Sequence, residues 1–400
     1  MTVQELTLDQ LGEVARGRSR HRPRDAAFLY GGPFPFVQTG DVKRAGLYLT
    51  EYEQTYSEAG LAQSRLWPAG TLCITIAANI ADTAILGING CFPDSVIGFT
   101  ADPEKADTRF VKYLFDAVLK MRFRSFTQGA AQDNLSQEKL LSIKFPVPEL
   151  RVQRRTADIL AAYDDLIENN RRRIALLEEA ARMLYCDWFV RFRFPGHEHL
   201  NIIDGLPEGW EHLPASQAFE VNPTTPRNDD GEITYVPMAS LSETGMLVDR
   251  AQFKRRQVAT SVRFRAADTL FARITPCLEN GKTGFVHFLA SDEIACGSTE
   301  FIVLRGHRVS NFFVYLTSRQ DTFRENAIKS MIGSSGRQRV QPSCFDRYLV
   351  PVPPSVLGSL FDDAVGPMFE QISKLDQQNQ KLGQARDLLL PRLMNGEIAV

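Results

Sequence analysis

Residues Arg151–Phe189 read RVQRRTADILAAYDDLIENNRRRIALLEEAARMLYCDWF. Counting by threes and fours from Leu160 gives Tyr163, Ile167, Asn170, Ile174, Leu177, Ala181, Leu184 and Trp188, and every one but Asn170 is apolar or aromatic. Glu168, Arg171, Arg172, Arg173, Glu178, Glu179 and Arg182 fall off that seam. Spacing of this kind predicts a long helix that turns one stripe toward a partner helix. Adding 205 to each number gives Val365, Met368, Ile372, Leu375, Asn379, Leu382, Arg386, Leu389 and Leu393. The seam returns near the C-terminus, broken only by Asn379 and Arg386. The chain reads as a duplication in which each half ends in a long helix.

A seam cannot stay in water, so the economical arrangement packs the two helices antiparallel, each leaving its own globular half. The fold class expected is α+β: two globular heads of mixed helix and strand, an antiparallel coiled-coil pair, and an internal pseudo-two-fold repeat. The boundaries follow as 1–148 for the first head, 149–196 for the central helical region, 197–353 for the second head and 354–400 for the C-terminal helical region. From Leu160 to Trp188 the helix spans ~43 Å at ~1.5 Å per residue, against ~34–36 Å per turn of duplex DNA. That length suits a caliper between two half-sites and equally a dumbbell adaptor. Asn170 and Asn379 either fix the register of the seam or lie exposed near the heads. Pro367 is expected to split the second helical region, and Pro391 to kink its last turn.

Four hundred residues, 44% hydrophobic and 24% charged, describe a folded chain of several domains and exclude a disordered one. The net charge of -2 advertises no polyanion partner, so DNA contact would have to come from local basic patches. Six scattered cysteines without a CxxC pair, and no signal peptide, fit reduced thiols and a cytoplasmic location. The most apolar window, Gly70–Cys91, is broken by Asn79, Asp82 and Asn89 and predicts core strands, not a membrane span.

Taken in order, residues 1 to about 110 read as short strands and turns, followed by a helix over Asp107–Phe123. A polar loop (Gln128–Asn134), a short helix opened by Ser136 and a strand over Ile143–Val147 come next. The second half repeats this. Asp268-Thr269-Leu270-Phe271 echoes Gly70-Thr71-Leu72-Cys73, Ser298 and Phe301 echo Ser95 and Phe99, and a helix near Asn311–Asn326 echoes 107–123. Leu349-Val350-Pro351-Val352-Pro353 answers Lys144-Phe145-Pro146-Val147-Pro148.

Candidate DNA contacts gather in loops. Arg16, Arg18, Arg20, Arg22 and Arg24 lie within nine residues that also hold Gly17, Ser19 and Pro23, which make a loop of arginines suited to phosphates or guanine. Arg122, Arg124, Gln132 and Asn134 carry guanidinium and amide groups suited to base edges, and Lys329, Arg337, Gln338 and Arg339 are their counterparts. Asn79 and Asp82, and then Arg273, Glu279, Asn280 and Lys282, sit where a strand meets a turn and could face DNA or cap the turn. Catalytic patterns fail. Asn280-Gly281-Lys282-Thr283 resembles the tail of a P-loop, but Pro276 occupies the upstream glycine position. Asn222-Pro223-Thr224-Thr225 lacks an amino-methyltransferase motif's second proline and aromatic. Asp102-Pro103-Glu104-Lys105 is too compressed for a nuclease site, and His197-Glu198-His199 has no third metal ligand in view.

Several stretches resemble type I restriction-modification specificity subunits: Ala78–Leu86 followed by Cys91–Val96, Ile274–Lys282 with Gly297–Phe301, and Asn134-Leu135-Ser136 with Phe145–Pro148. Arg182–Tyr185 with Trp188-Phe189 and the ending Leu388–Ile398 do so too, and the motifs cover the chain in the family's order. The resemblance implies two target-recognition domains, each reading half of a bipartite sequence in double-stranded DNA. It also implies a helix pair that docks two methyltransferase subunits, with motor-nuclease (restriction) subunits joining. S-adenosylmethionine, ATP and magnesium would then belong to those partners, with no cofactor, metal or catalysis in this chain and no membrane. Alternatives left open are a specificity subunit of a type IIB-like or orphan methyltransferase, and an adaptor without DNA contact.

Overall fold

The computed structural model describes residues 3–77, 80–126, 136–226, 231–257, 261–334 and 336–400, with only the backbone over 119–126. The chain packs as two units, residues 1–169 with 378–400 and residues 170–377. Each unit contains one head and one stretch of both long helices.

In the first unit, strand Val3–Leu6 pairs antiparallel with Phe145–Pro148, Val3 opposite Pro148 and Leu6 opposite Phe145. The prolines are tolerated because this two-stranded ribbon is all edge. A five-stranded sheet follows in the order Gly12–Arg16, Val96–Ala101, Leu72–Thr75, Thr83–Leu86, Tyr48–Leu49, antiparallel until its last pair. Helix Thr108–Phe126 packs on it through Phe110, Leu114 and Phe115. Ser136 caps helix Gln137–Leu141 by accepting from the Lys139 N–H at 3.1 Å.

The second unit repeats the plan. Glu211–Pro214 pairs antiparallel with Leu349–Val352. Its four-stranded sheet runs Phe219–Val221, Phe301–Gly306, Thr269–Ala272, Thr283–Phe285, the same order as the first four strands above. Phe301 opens its strand, as Val96 opens the matching one, so the echo of Phe99 by Phe301 is off register. A second sheet runs Lys254–Arg256, Ile233–Val236, Ile294–Gly297, Val262–Arg265. The single helix expected near Asn311–Asn326 is two, Asn311–Ser318 and Asp321–Lys329.

The central helix runs Leu150–Tyr185 and continues as a wider turn over Cys186–Val190. The C-terminal helix runs unbroken over Ser355–Met394. The break expected at Pro367 is therefore absent, and the helix runs on past Pro391. Proline clashes with the Cβ of the residue before it, and here that residue is Gly366, which has none. Burial of Phe361, Val365, Phe369 and Ile372 on either side holds the helix to its partner.

The seams pair antiparallel. In the first unit Asp164 meets Arg386, while Leu160 shares a core with Leu393 and Met394. In the second, Trp188 meets Phe361 at 5.6 Å between ring centres, and Ile174 shares a core with Ile372 and Leu375. Leu160, Ile167, Asn170, Ile174, Ala181 and Trp188 are buried, as are Val365, Ile372, Leu375 and Leu393. Tyr163, Leu177, Leu184, Met368, Asn379, Leu382, Arg386 and Leu389 are half-buried, so no seam position is left in water. The reading of Asn170 as exposed falls. Glu178, placed off the seam by spacing, is buried on the flank that carries the second head.

Candidate nucleic-acid interface

The arginine loop of the first unit is tied down, not a free tether. Gly17 N–H donates to Val96 O and Arg18 N–H to Phe92 O, at 2.9 and 3.0 Å. The Gln63 side-chain oxygen accepts from the N–H of Arg20 and of His21. A Cβ at Gly17 would lie 2.3 Å from two carbonyl oxygens, so only glycine admits this close approach. The five guanidiniums then divide. Arg16 donates to Asp94 O at 3.0 Å, and Arg24 pairs with the Asp94 carboxylate at 2.9 Å. Arg22 donates to the carbonyls of Ser19 and His21, both at 2.7 Å. Arg18 and Arg20 are exposed, and their guanidiniums have no hydrogen bond or ion pair among the described residues. A phosphate or a base edge would find these two on a fixed backbone.

Two chain segments meet in the second unit. Thr275 N–H donates to Gln338 O, and Gln338 N–H returns a bond to the Thr275 hydroxyl, both at 3.1 Å. Val340 N–H donates to Arg273 O, which closes the junction. Arg339 grips Glu300 through two nitrogens, at 2.6 and 3.0 Å. Hydrogen bonding from Arg339 holds the Glu300 carboxyl below the usual carboxylate range. Arg273 donates to Val340 O at 3.3 Å, and its buried Nε–H has no acceptor among the described residues. Arg337 and Lys329 are exposed, with no side-chain partner among the described residues. The turn that follows is braced from behind. Asn280 donates to the Glu243 carboxylate at 3.2 Å, and Arg319 donates to Gly281 O at 2.9 Å. Glu279 is exposed and Lys282 half-buried.

The family model for the type I restriction modification DNA specificity domain matches residues 2–179. Along nearly its whole length, 98% of this chain and 93% of the other, the chain is 23% identical to the type I restriction enzyme MjaIX specificity subunit of Methanocaldococcus jannaschii. The chain is similar to the type I restriction-modification specificity subunits. The EcoEI specificity subunit of Escherichia coli is 27% identical over 47% of this chain and 32% of its own length. The fold agrees with the crystal structure of the type I restriction-modification system S subunit from M. genitalium, at a TM-score of 0.58 and 14% identity over 98% and 96% of the two chains.

Arg273, named among the strand-to-turn residues, and Gln338 and Arg339, named among the loop residues, meet at one junction. Lys329, Glu279, Asn280 and Lys282 lie on neighbouring segments. Asp82 is half-buried in the first unit, its N–H bonded to the Thr75 hydroxyl at 3.0 Å. Asn79, Gln132 and Asn134 lie outside the described residues, and of Arg122 and Arg124 only the backbone is described, within the helix Thr108–Phe126. Missed were the two carboxylates that hold the arginines. Asp94 and Glu300 lie far in sequence from the groups they pair with, and spacing gives no hint of such pairs. Among the described residues, no helix is long and apolar enough to cross a membrane.

Proposed function

We propose that the chain is a specificity subunit that reads a bipartite sequence in double-stranded DNA, one half-site per head, with the helix pair setting the gap. Each half would be read over a few base pairs, by Arg18 and Arg20 in the first unit and by Arg337 with the Arg273–Gln338 junction in the second. The observation that carries this is that both heads share one strand order and each offers an unpaired guanidinium, though on loops at different places in the repeat. Among the described residues Arg18 and Arg20 in one head and Arg337 in the other stand unpaired on loops whose backbone is fixed by hydrogen bonds, and preset donors discriminate bases without an ordering cost.

On this reading the chain is not itself a catalyst. Methyl transfer and cleavage lie with two methyltransferase subunits and with restriction subunits, which would use S-adenosylmethionine, ATP and magnesium in the cytoplasm. The test is methylation sequencing of a host that expresses the chain with a methyltransferase subunit, beside duplex binding by the purified complex across a salt series. A split motif with a constant gap and salt-sensitive binding is expected. Methylation without such a motif rejects the half-site reading, and methyl transfer by the chain alone rejects the division of labour. Absence of duplex binding returns the chain to an adaptor role.

A further inference from the structure

The second sheet of the second unit has a basic outer face that none of the readings above uses. Lys254 stands opposite Tyr235, Tyr235 opposite Cys296, and Cys296 opposite Arg263. Residues directly opposite one another share a face, so these four form one row across the sheet. Two residues along, Arg256 stands opposite Ile233, and Arg265 opposite Ile294. Side chains alternate with a period of two, so this second row lies on the same face. The other face buries Val236, Phe264 and Ala295 in the core. The outer face therefore carries Lys254 and Arg256 along one edge strand and Arg263 and Arg265 along the other, with Ile233 and Cys296 buried between them.

None of these four cations has a side-chain hydrogen bond or ion pair among the described residues. The Arg256 guanidinium lies over the Tyr235 ring, its carbon 3.5 Å from the ring centre, a contact that uses none of its donors. Lys254, Arg256 and Arg265 are exposed, and Arg263 is half-buried. Strands lie ~4.8 Å apart, so the two cation rows stand ~14 Å from each other. The phosphates that flank the major groove of B-DNA are separated by about 12 Å.

We propose that this sheet face is a phosphate platform for duplex DNA, one cation row to each backbone strand across a groove. It positions the second unit and carries no sequence information. The proposal rests on the DNA-reading function above, and its failure can be told apart from failure of that reading.

The experiment uses the full chain with its methyltransferase subunit, on cognate and scrambled duplexes across a salt series. Variants are Lys254→Gln with Arg256→Gln, Arg263→Gln with Arg265→Gln, and the single changes Lys254→Gln and Arg265→Gln, which disturb no partner. Each pair should weaken binding of both duplexes by the same factor. The slope of log K against log salt should flatten by ~0.9 for every phosphate that is no longer neutralised. The methylated sequence should stay the same. Unchanged affinity and slope in the variants, with wild-type binding intact, overturn the platform. A loss confined to one base position also overturns it, in favour of base reading. If the wild-type complex binds no duplex, the DNA-reading function itself falls.

Discussion

Arg337 and Arg339 stand two residues apart on one loop and are committed differently. Arg339 is held by Glu300, whereas Arg337 has no side-chain partner among the described residues and under the proposed function meets DNA. Arg337→Ala should cost ~1–3 kcal/mol of binding at one base position of the second half-site and leave the first untouched, which a mutated-duplex series would show. Equal weakening of both half-sites would reassign Arg337 to a phosphate. Glu300 supplies a pH signature. Its folded pKa lies below the unfolded one because of Arg339, so its contribution is full at neutral pH and fades as acid takes the pH down through the folded pKa. The melting-temperature difference between wild type and Glu300→Gln should therefore shrink steadily below the ordinary carboxylate range. A difference that persisted there would show that the pair is not what Glu300 contributes.

The helix seam was legible because its period is a direct consequence of helix geometry, and the structure covers every position it named. What spacing does not reveal is which off-seam residues a head covers. Glu178 looked like a solvated carboxylate. It accepts from Tyr315 OH at 2.6 Å and from Met246 N–H at 2.9 Å and is paired with Arg182. Arg386 looked like a defect in the second seam. It meets Asp164, which also accepts from Tyr113 OH at 2.6 Å, and burial followed by that carboxylate raises the Tyr113 pKa. Removing one partner of such a buried group strands the others, so Glu178→Ala should lose roughly 3–5 kcal/mol in denaturant unfolding. A loss below about one kcal/mol would return Glu178 to the solvated face. The proline reading failed for a local reason that a double-mutant cycle can check. Gly366→Ala should destabilise the wild type, where Pro367 meets the new Cβ, yet stabilise a Pro367→Ala background by about 0.5–1 kcal/mol. The same sign in both backgrounds would reject Gly366 as the reason the helix survives.

Across the whole molecule, the duplication could be read because it is written in strand order and helix period. The heads' chemistry could not, because arginines become donors or struts according to distant carboxylates such as Asp94 and Glu300. Under the proposed function the helix pair is a spacer, and that role makes a quantitative demand. Seven residues inserted into both helices keep each seam within ~20° of its original phase and add ~10.5 Å at ~1.5 Å per residue. At ~3.4 Å per base pair the gap between half-sites should widen by about three base pairs, with both half-sites unchanged. Insertion into only one helix leaves a stretch of seam, centred near Ile174 or Leu375, without its partner. That variant should unfold more easily than the matched one and should not shift the gap cleanly. Methylation sequencing of hosts carrying each variant reads the gap directly. A matched insertion that leaves the gap unaltered while methylation continues would mean that something other than the helices measures the distance.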